Sequence, residues 1–208
     1  MNKNKTPRTR WTPPRIALVV LVLALALSWS GYRLSDKFGG SVSTQGNEIG
    51  GSYRLVALGE GNVTEGDFRG SWVMVWFFDT HCPKTLCGPV LKSMSDAKKA
   101  LTTEGISLAP LAITLDPLHD ESEDLKKYAL PLGDHVVPLT GAPSMIERVA
   151  KEFHAPNELM KGDDGTSYHV PAPRIVIMDP KGRYAGTIDS TVGTEALVTR
   201  IHQLAHRG

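Results

Sequence analysis

Cys82 and Cys87 are the only two cysteines in this 208-residue chain. They stand five positions apart in the stretch Asp79-Thr80-His81-Cys82-Pro83-Lys84-Thr85-Leu86-Cys87-Gly88-Pro89. An apolar run, Trp72 to Phe78, precedes them, and a helical pattern that opens at Pro89 follows. A strand would deliver both thiols to a loop at a helix N-terminus. The partial positive charge of that helix end favours thiolate over thiol. Two thiolates held close together form a disulfide or grip a soft metal. The plain alternative is one structural disulfide. His81 adjoins Cys82, but neighbouring side chains of an extended segment diverge. It is expected to have an outer role or none.

Composition narrows the classes. The net charge of +1 and the 41% hydrophobic fraction describe one ordinary core and argue against a general nucleic-acid binder. Two cysteines are too few for a disulfide framework. Residues 1–15 hold Lys3, Lys5, Arg8, Arg10 and Arg15 and no acid, and Ile16 to Leu27 is unbroken apolar. With Ser28 to Tyr32 the uncharged stretch reaches about 17 residues, the minimum for a membrane span. The basic flank places the N-terminus in the cytoplasm, and Trp11, Trp29 and Tyr32 suit the two interfaces. No small-x-small cleavage site follows, so the segment reads as an uncleaved anchor rather than a signal peptide. Lacking a long Ser- and Arg-rich leader, the chain is expected in a bacterial inner membrane with its C-terminal part in the periplasm. The organisation is then a basic cytoplasmic segment (1–15), a transmembrane anchor (16–32), a tether (33–47) and one domain (48–208).

The elements that must position the thiols follow from periodicity. Tyr53 to Leu58 reads as a strand, and Gly59 to Gly70 as a turn-rich segment with a short hairpin. Trp72 to Phe78 is aromatic and β-branched on both faces, which suits a central strand of a covered sheet. Helix is expected from Pro89 to Gly105, with Val90, Leu91, Met94, Ala97 and Leu101 inward. Ile106 to Leu115 reads as a strand closing on Asp116-Pro117, Asp120 to Leu130 as a helix and Val136 to Leu139 as a short strand. Pro143 to Phe153 is a third helix and His154 to Val170 a long loop. Arg174 to Met178 and Arg183 to Asp189 form a hairpin about the turn Asp179-Pro180-Lys181-Gly182. Glu195 to His206 is the closing helix. The order β-α-β-α-β-α-β-β-α is that of a layered α/β domain with a mixed sheet.

Gly66-Asp67-Phe68-Arg69-Gly70, Thr80-His81-Cys82-Pro83, Ile113-Thr114-Leu115-Asp116-Pro117, Leu139-Thr140-Gly141 and Asp179-Pro180-Lys181-Gly182-Arg183 together carry a resemblance. The chain resembles the SCO1/SenC family over about residues 48 to 205. The resemblance implies a thioredoxin-like mixed sheet flanked by helices, behind one N-terminal membrane helix. It also implies a copper metallochaperone that delivers copper to the binuclear site of cytochrome c oxidase subunit II, or reduces that subunit's cysteines. The family's ligands carry over onto Cys82, Cys87 and His169, with Cu(I) or Cu(II) as the metal. Other copper chaperones and thioredoxin-like reductants are implied as further partners.

Two features depart from the family pattern. The family places three residues between its cysteines, whereas Pro83 to Leu86 make four here. A five-residue helical step turns about 500°, leaving the side chains roughly 140° apart, so a regular helix cannot chelate through both. The extra residue is expected to bulge in the loop, with Gly88 supplying flexibility. Val170 to Pro173 also set His169 further from the Asp-Pro turn. Asp116 reads either as orienting a site group or as capping its own turn. Met160 is a candidate soft outer ligand, and His119, His135, His154, His202 and His206 read as surface residues.

A second reading is a periplasmic thiol-disulfide oxidoreductase acting through Cys82 and Cys87. It calls for a cis-proline at Pro171 or Pro173 and for Arg174 beside a thiolate. A third is a redox or copper sensor. A peroxidase is disfavoured because no Thr-x-x-Cys leads into Cys82.

Overall fold

The structure, a computed structural model, describes residues 49–57 and 61–206. The basic segment, the anchor and the tether lie outside the described residues. Among the described residues no helix is long and apolar enough to cross a membrane.

Seven strands form one mixed sheet: β1 (Arg54–Ala57), β2 (Gly61–Thr64), β3 (Trp72–Phe78), β4 (Leu108–Thr114), β5 (Val137–Thr140), β8 (Arg174–Met178) and β9 (Tyr184–Asp189). Their order is β2-β1-β5-β4-β3-β8-β9. β3 pairs parallel with β4, Phe78 lying opposite Thr114, and antiparallel with β8. β4 pairs parallel with β5. The C-terminal ends of these three parallel strands therefore meet at one edge of the sheet, where the cysteine segment begins. Two further strands, β6 (Leu159–Lys161) and β7 (Ser167–His169), form a separate ribbon. The helices are α1 (Lys84–Thr103), α2 (Ser122–Ala129), α3 (Pro143–Glu152) and α4 (Thr194–Ala205).

β3 is buried on both faces, as its unbroken apolar run requires. On one face Trp76 stacks on Phe78 at 5.4 Å, and Phe78 meets Tyr128 of α2 at 5.6 Å. On the other face Phe77 meets Phe153, which also meets Tyr53. α1 buries Val90, Leu91, Met94, Ala97 and Leu101 and ends at Gly105, whose φ of +78° a side chain would resist.

Three expectations are corrected by the structure. α1 starts at Lys84 rather than Pro89, because Pro83 leaves the extended segment (ψ 129°) and its carbonyl accepts the amides of Leu86 and Cys87. Pro89 sits one turn inside, at the expense of a bond to the Thr85 carbonyl. The stretch from His154 to Val170 is not all loop. Asp164-Gly165, with Gly165 at φ +84°, turns the chain so that Leu159 pairs with His169 and Met160 with Tyr168. No peptide bond among the described residues is cis, so the cis-proline expected at Pro171 or Pro173 is absent.

Trp76 ties this segment to the core. Its buried Nε1–H donates to the Ala172 carbonyl at 2.8 Å, while the Ala172 amide donates to the Phe77 carbonyl. Trp76→Phe leaves that carbonyl unpaired and is expected to cost about 1–3 kcal/mol. Urea unfolding should show a lower midpoint with an unchanged slope.

Candidate functional site

Cys82 and Cys87 are joined as a disulfide, with Cα atoms 6.2 Å apart. The spacing problem resolves itself without an outward bulge. Cys82 precedes the helix, in a turn that its amide closes on the Asp79 carbonyl, and Cys87 lies in the first turn of the helix, so the five-residue step is not a helical one. Gly88 serves a different purpose from the one expected. It lies within regular helix, and a Cβ there would sit 3.3 Å from Leu132 Cδ2, so glycine allows the helix to approach that side chain closely. Both cysteines are buried, at 2% and 0% exposure. Closing so short a loop contributes only about 2 kcal/mol through chain entropy, so the fold does not hang on this bond.

The residue that organises the segment is Asp79, whose side chain is only 1% exposed. It ends β3, and its Oδ1 accepts the amides of His81 (2.9 Å) and Cys82 (3.0 Å). Its Oδ2 accepts the amide of His169 and lies 3.1 Å from His169 Nδ1. One carboxylate thus brings His169, 90 residues away in sequence, to the cysteine segment. The Tyr128 hydroxyl donates to the Cys82 carbonyl from α2. Burial, aided by the charges of Asp79 and Asp120, raises the pKa of that phenol.

A second buried acid, Asp120, supports the turn. It accepts the Thr80 amide at 3.0 Å, the Thr114 hydroxyl at 2.6 Å and the Thr80 hydroxyl. The sequence pattern placed Asp120 in the second helix. In the structure the helix opens at Ser122, and Asp120 is fully buried just before it. Neither Asp79 nor Asp120 was singled out from the sequence as a site residue. The signal available was an acid closing a seven-residue apolar run, two and three positions before the amides it caps.

Asp116 bonds within its own turn. Its backbone carbonyl closes the turn onto His119 and Asp120, and its carboxylate takes His119 Nδ1 at 2.9 Å. That hydrogen bond, then its charge, raises the His119 pKa. One oxygen each from Asp79 and Asp116 and a ring nitrogen of His169 lie within 4.8 Å of one another. Asp116 and His169 also border a cavity of about 530 Å³, otherwise lined mainly by Leu115, Pro117, Ile146 and Ala150. His119, His154 and His206 are exposed, as expected, and so is His81, whereas His135 and His202 are half-buried and His202 pairs with Glu104 at 2.6 Å. Met160 is exposed on the ribbon opposite Tyr168. Arg174 is exposed and acts electrostatically on Asp189.

A family model described as SCO1/SenC matches residues 41–206. The chain belongs to the SCO1/SenC family. The mitochondrial SCO1 homolog 2 of Arabidopsis thaliana is 31% identical over 146 residues, which cover 69% of this chain and 52% of that protein. Across the first curated relatives the match spans only 31% to 60% of their length. A crystal structure of Arabidopsis thaliana ScoI with copper bound superposes with a TM-score of 0.66 at 24% identity, covering 77% of this chain and 99% of that one. The thioredoxin domain of a thiol-disulfide oxidoreductase from Bacteroides vulgatus aligns at a TM-score of 0.54 and 16% identity, covering 77% of this chain and 98% of its own. The SCO1/SenC chain thus has the expected thioredoxin-like mixed sheet flanked by helices.

Asp120 also provides a test by pH. Burial first, opposed by its threonine donors, and then the charge of Asp79, raise its pKa above 3.8. The folded chain therefore holds this proton more tightly than the unfolded chain does. The resulting stabilisation is complete below the unfolded pKa and is lost as pH rises through the higher folded one. The stability of the native sequence relative to Asp120→Asn is expected to fall as pH rises above about 4. Urea midpoints of both proteins across that range check the slope.

Proposed function

We propose that this SCO1/SenC protein is a copper metallochaperone of cytochrome c oxidase assembly, with the thiolates of Cys82 and Cys87 and the imidazole of His169 as its ligands. Sco proteins are cytochrome c oxidase assembly proteins, and the copper-bound relative makes copper the cargo to test first. The observation that carries the reading is that one buried carboxylate bonds both His169 and the amide of Cys82, to which Cys87 is joined by the disulfide. The donor chemistry fits. Cu(I) is soft and is held by two thiolates, whereas Cu(II) gains from an added imidazole nitrogen.

The cysteines must first be opened. Two electrons and two protons convert the disulfide to two thiols, and a thioredoxin-like dithiol reductant supplies them while becoming a disulfide itself. Metal binding then displaces the thiol protons, so acid weakens the complex. The recipient in this reading is the binuclear site of oxidase subunit II. The chain is held at a bacterial inner membrane by residues 16–32, with residues 48–208 in the periplasm.

The disulfide itself favours a second reading, thiol-disulfide exchange on the recipient's cysteines without a metal. Its burial opposes fast exchange, because an attacking thiolate must reach a sulfur.

Copper titration of the reduced, oxygen-free full chain in detergent separates the two. Cys82→Ser and Cys87→Ser are each expected to lose most Cu(I) binding while remaining folded. His169→Ala should keep Cu(I) and lose the stable Cu(II) complex with its sulfur-to-copper absorption. An unchanged Cu(II) spectrum in His169→Ala removes His169 from the ligand set. Absence of copper binding alongside rapid insulin reduction selects the oxidoreductase.

A further inference from the structure

The side chain of Asp79 has room for four hydrogen bonds, and the structure supplies four partners. A carboxylate offers two oxygens with about four lone-pair positions and, when ionised, donates nothing. Oδ1 takes the amides of His81 and Cys82. Oδ2 takes the amide of His169 and faces Nδ1 of the same residue at 3.1 Å. Three of these partners are backbone N–H groups, which only donate. The carboxylate surrounded by them is an acceptor, so the fourth partner must donate as well. Nδ1 then carries the ring proton, and Nε2 of the neutral imidazole keeps its lone pair. Asp116, the other carboxylate in the cluster, is engaged with His119 at 2.9 Å.

We infer that Asp79 is a positioning residue that fixes the tautomer and orientation of the His169 ring, presenting Nε2 as the metal-binding nitrogen, and ties that ring to the Cys82 amide. The arrangement is a carboxylate–histidine pair of the kind that orients metal ligands from behind. The same carboxylate reaches the cysteine segment, so a shift of Cys82 on opening of the disulfide acts directly on the group holding His169. The inference deepens the proposed function and takes from it the assignment of His169 as a ligand.

Replacement by asparagine exposes the mechanism. An amide has a single oxygen. If that oxygen serves the His81 and Cys82 amides, the NH2 group faces His169 and favours a bare Nδ1, which moves the proton to Nε2. If the amide is turned the other way, the amides of His81 and Cys82 lose their acceptor.

The test is long-range ¹H–¹⁵N correlation NMR on the full chain, metal-free and oxidised, with ¹⁵N-labelled histidine in detergent micelles. It is run at a pH where the ring is neutral, with His169→Ala providing the assignment. The native protein is expected to show His169 with a protonated Nδ1 and a bare Nε2. The Nε2–H tautomer in the native protein overturns the inference, and this measurement needs no Asp79 variant to fold. In Asp79→Asn, if it folds, the tautomer is expected to switch or average, and Cu(II) affinity to fall about 10- to 100-fold. Asp79→Asn with the native tautomer and native Cu(II) affinity likewise overturns it. Failure of the ligand reading looks different: the His169→Ala Cu(II) spectrum is unchanged while the native ring still shows the Nδ1–H tautomer.

Discussion

The site edge of this domain is held by a buried charge with backbone donors. Asp79 follows an enclosed strand, where taking a carboxylate out of water is costly unless its acceptor positions are used. Amides from the segment that follows β3 satisfy one oxygen, and the end of β7 satisfies the other. Neither segment belongs to the main sheet. The cysteine turn and the ribbon therefore reach their places through the same group, and each completes the solvation that the other leaves unfinished. Asp120 repeats the device with Thr80, just past β3, and Thr114, the last residue of β4.

Much of the frame was legible because hydrophobic period and turn chemistry are local signals. Trp72 to Phe78 and Arg174 to Met178 coincide with β3 and β8, and Gly105 ends the long helix as its φ demands. The failures share a cause. The start of α1 was read from Pro89, a strong signal for a first turn, although Pro83 had already turned the chain and nothing in Lys84 to Leu86 forbids helix. The ribbon escapes a periodicity reading because its strands are three residues long and only Tyr168 is buried, which leaves too little alternation to detect.

The candidate site divides in the same way. The cysteines and His169 were named from residue type and family pattern. Asp79 is not legible in the sequence because three of its four partners are backbone amides, and a single chain does not display which amides lack a partner. The concern over cysteine spacing came from treating both positions as helical. With Cys82 in the turn before Pro83 and Cys87 in the first helical turn, the Cα atoms lie 6.2 Å apart, a separation that disulfides commonly adopt. The extra residue relative to the family is accommodated by where the helix begins.

The ribbon that carries His169 is two strands of three residues, a structure of marginal stability by itself. Its end is held by Asp79, and Val170 and Ala172 donate to the carbonyls of Glu158 and Phe77. Segments of this kind open locally at free energies well below that of global unfolding. A group carried there is exchanged on the ribbon's own clock. On the proposed reading, the lifetime of the third copper bond is then set by a local opening equilibrium, and a recipient that captures the opened ribbon sets the direction of transfer without loosening the sheet.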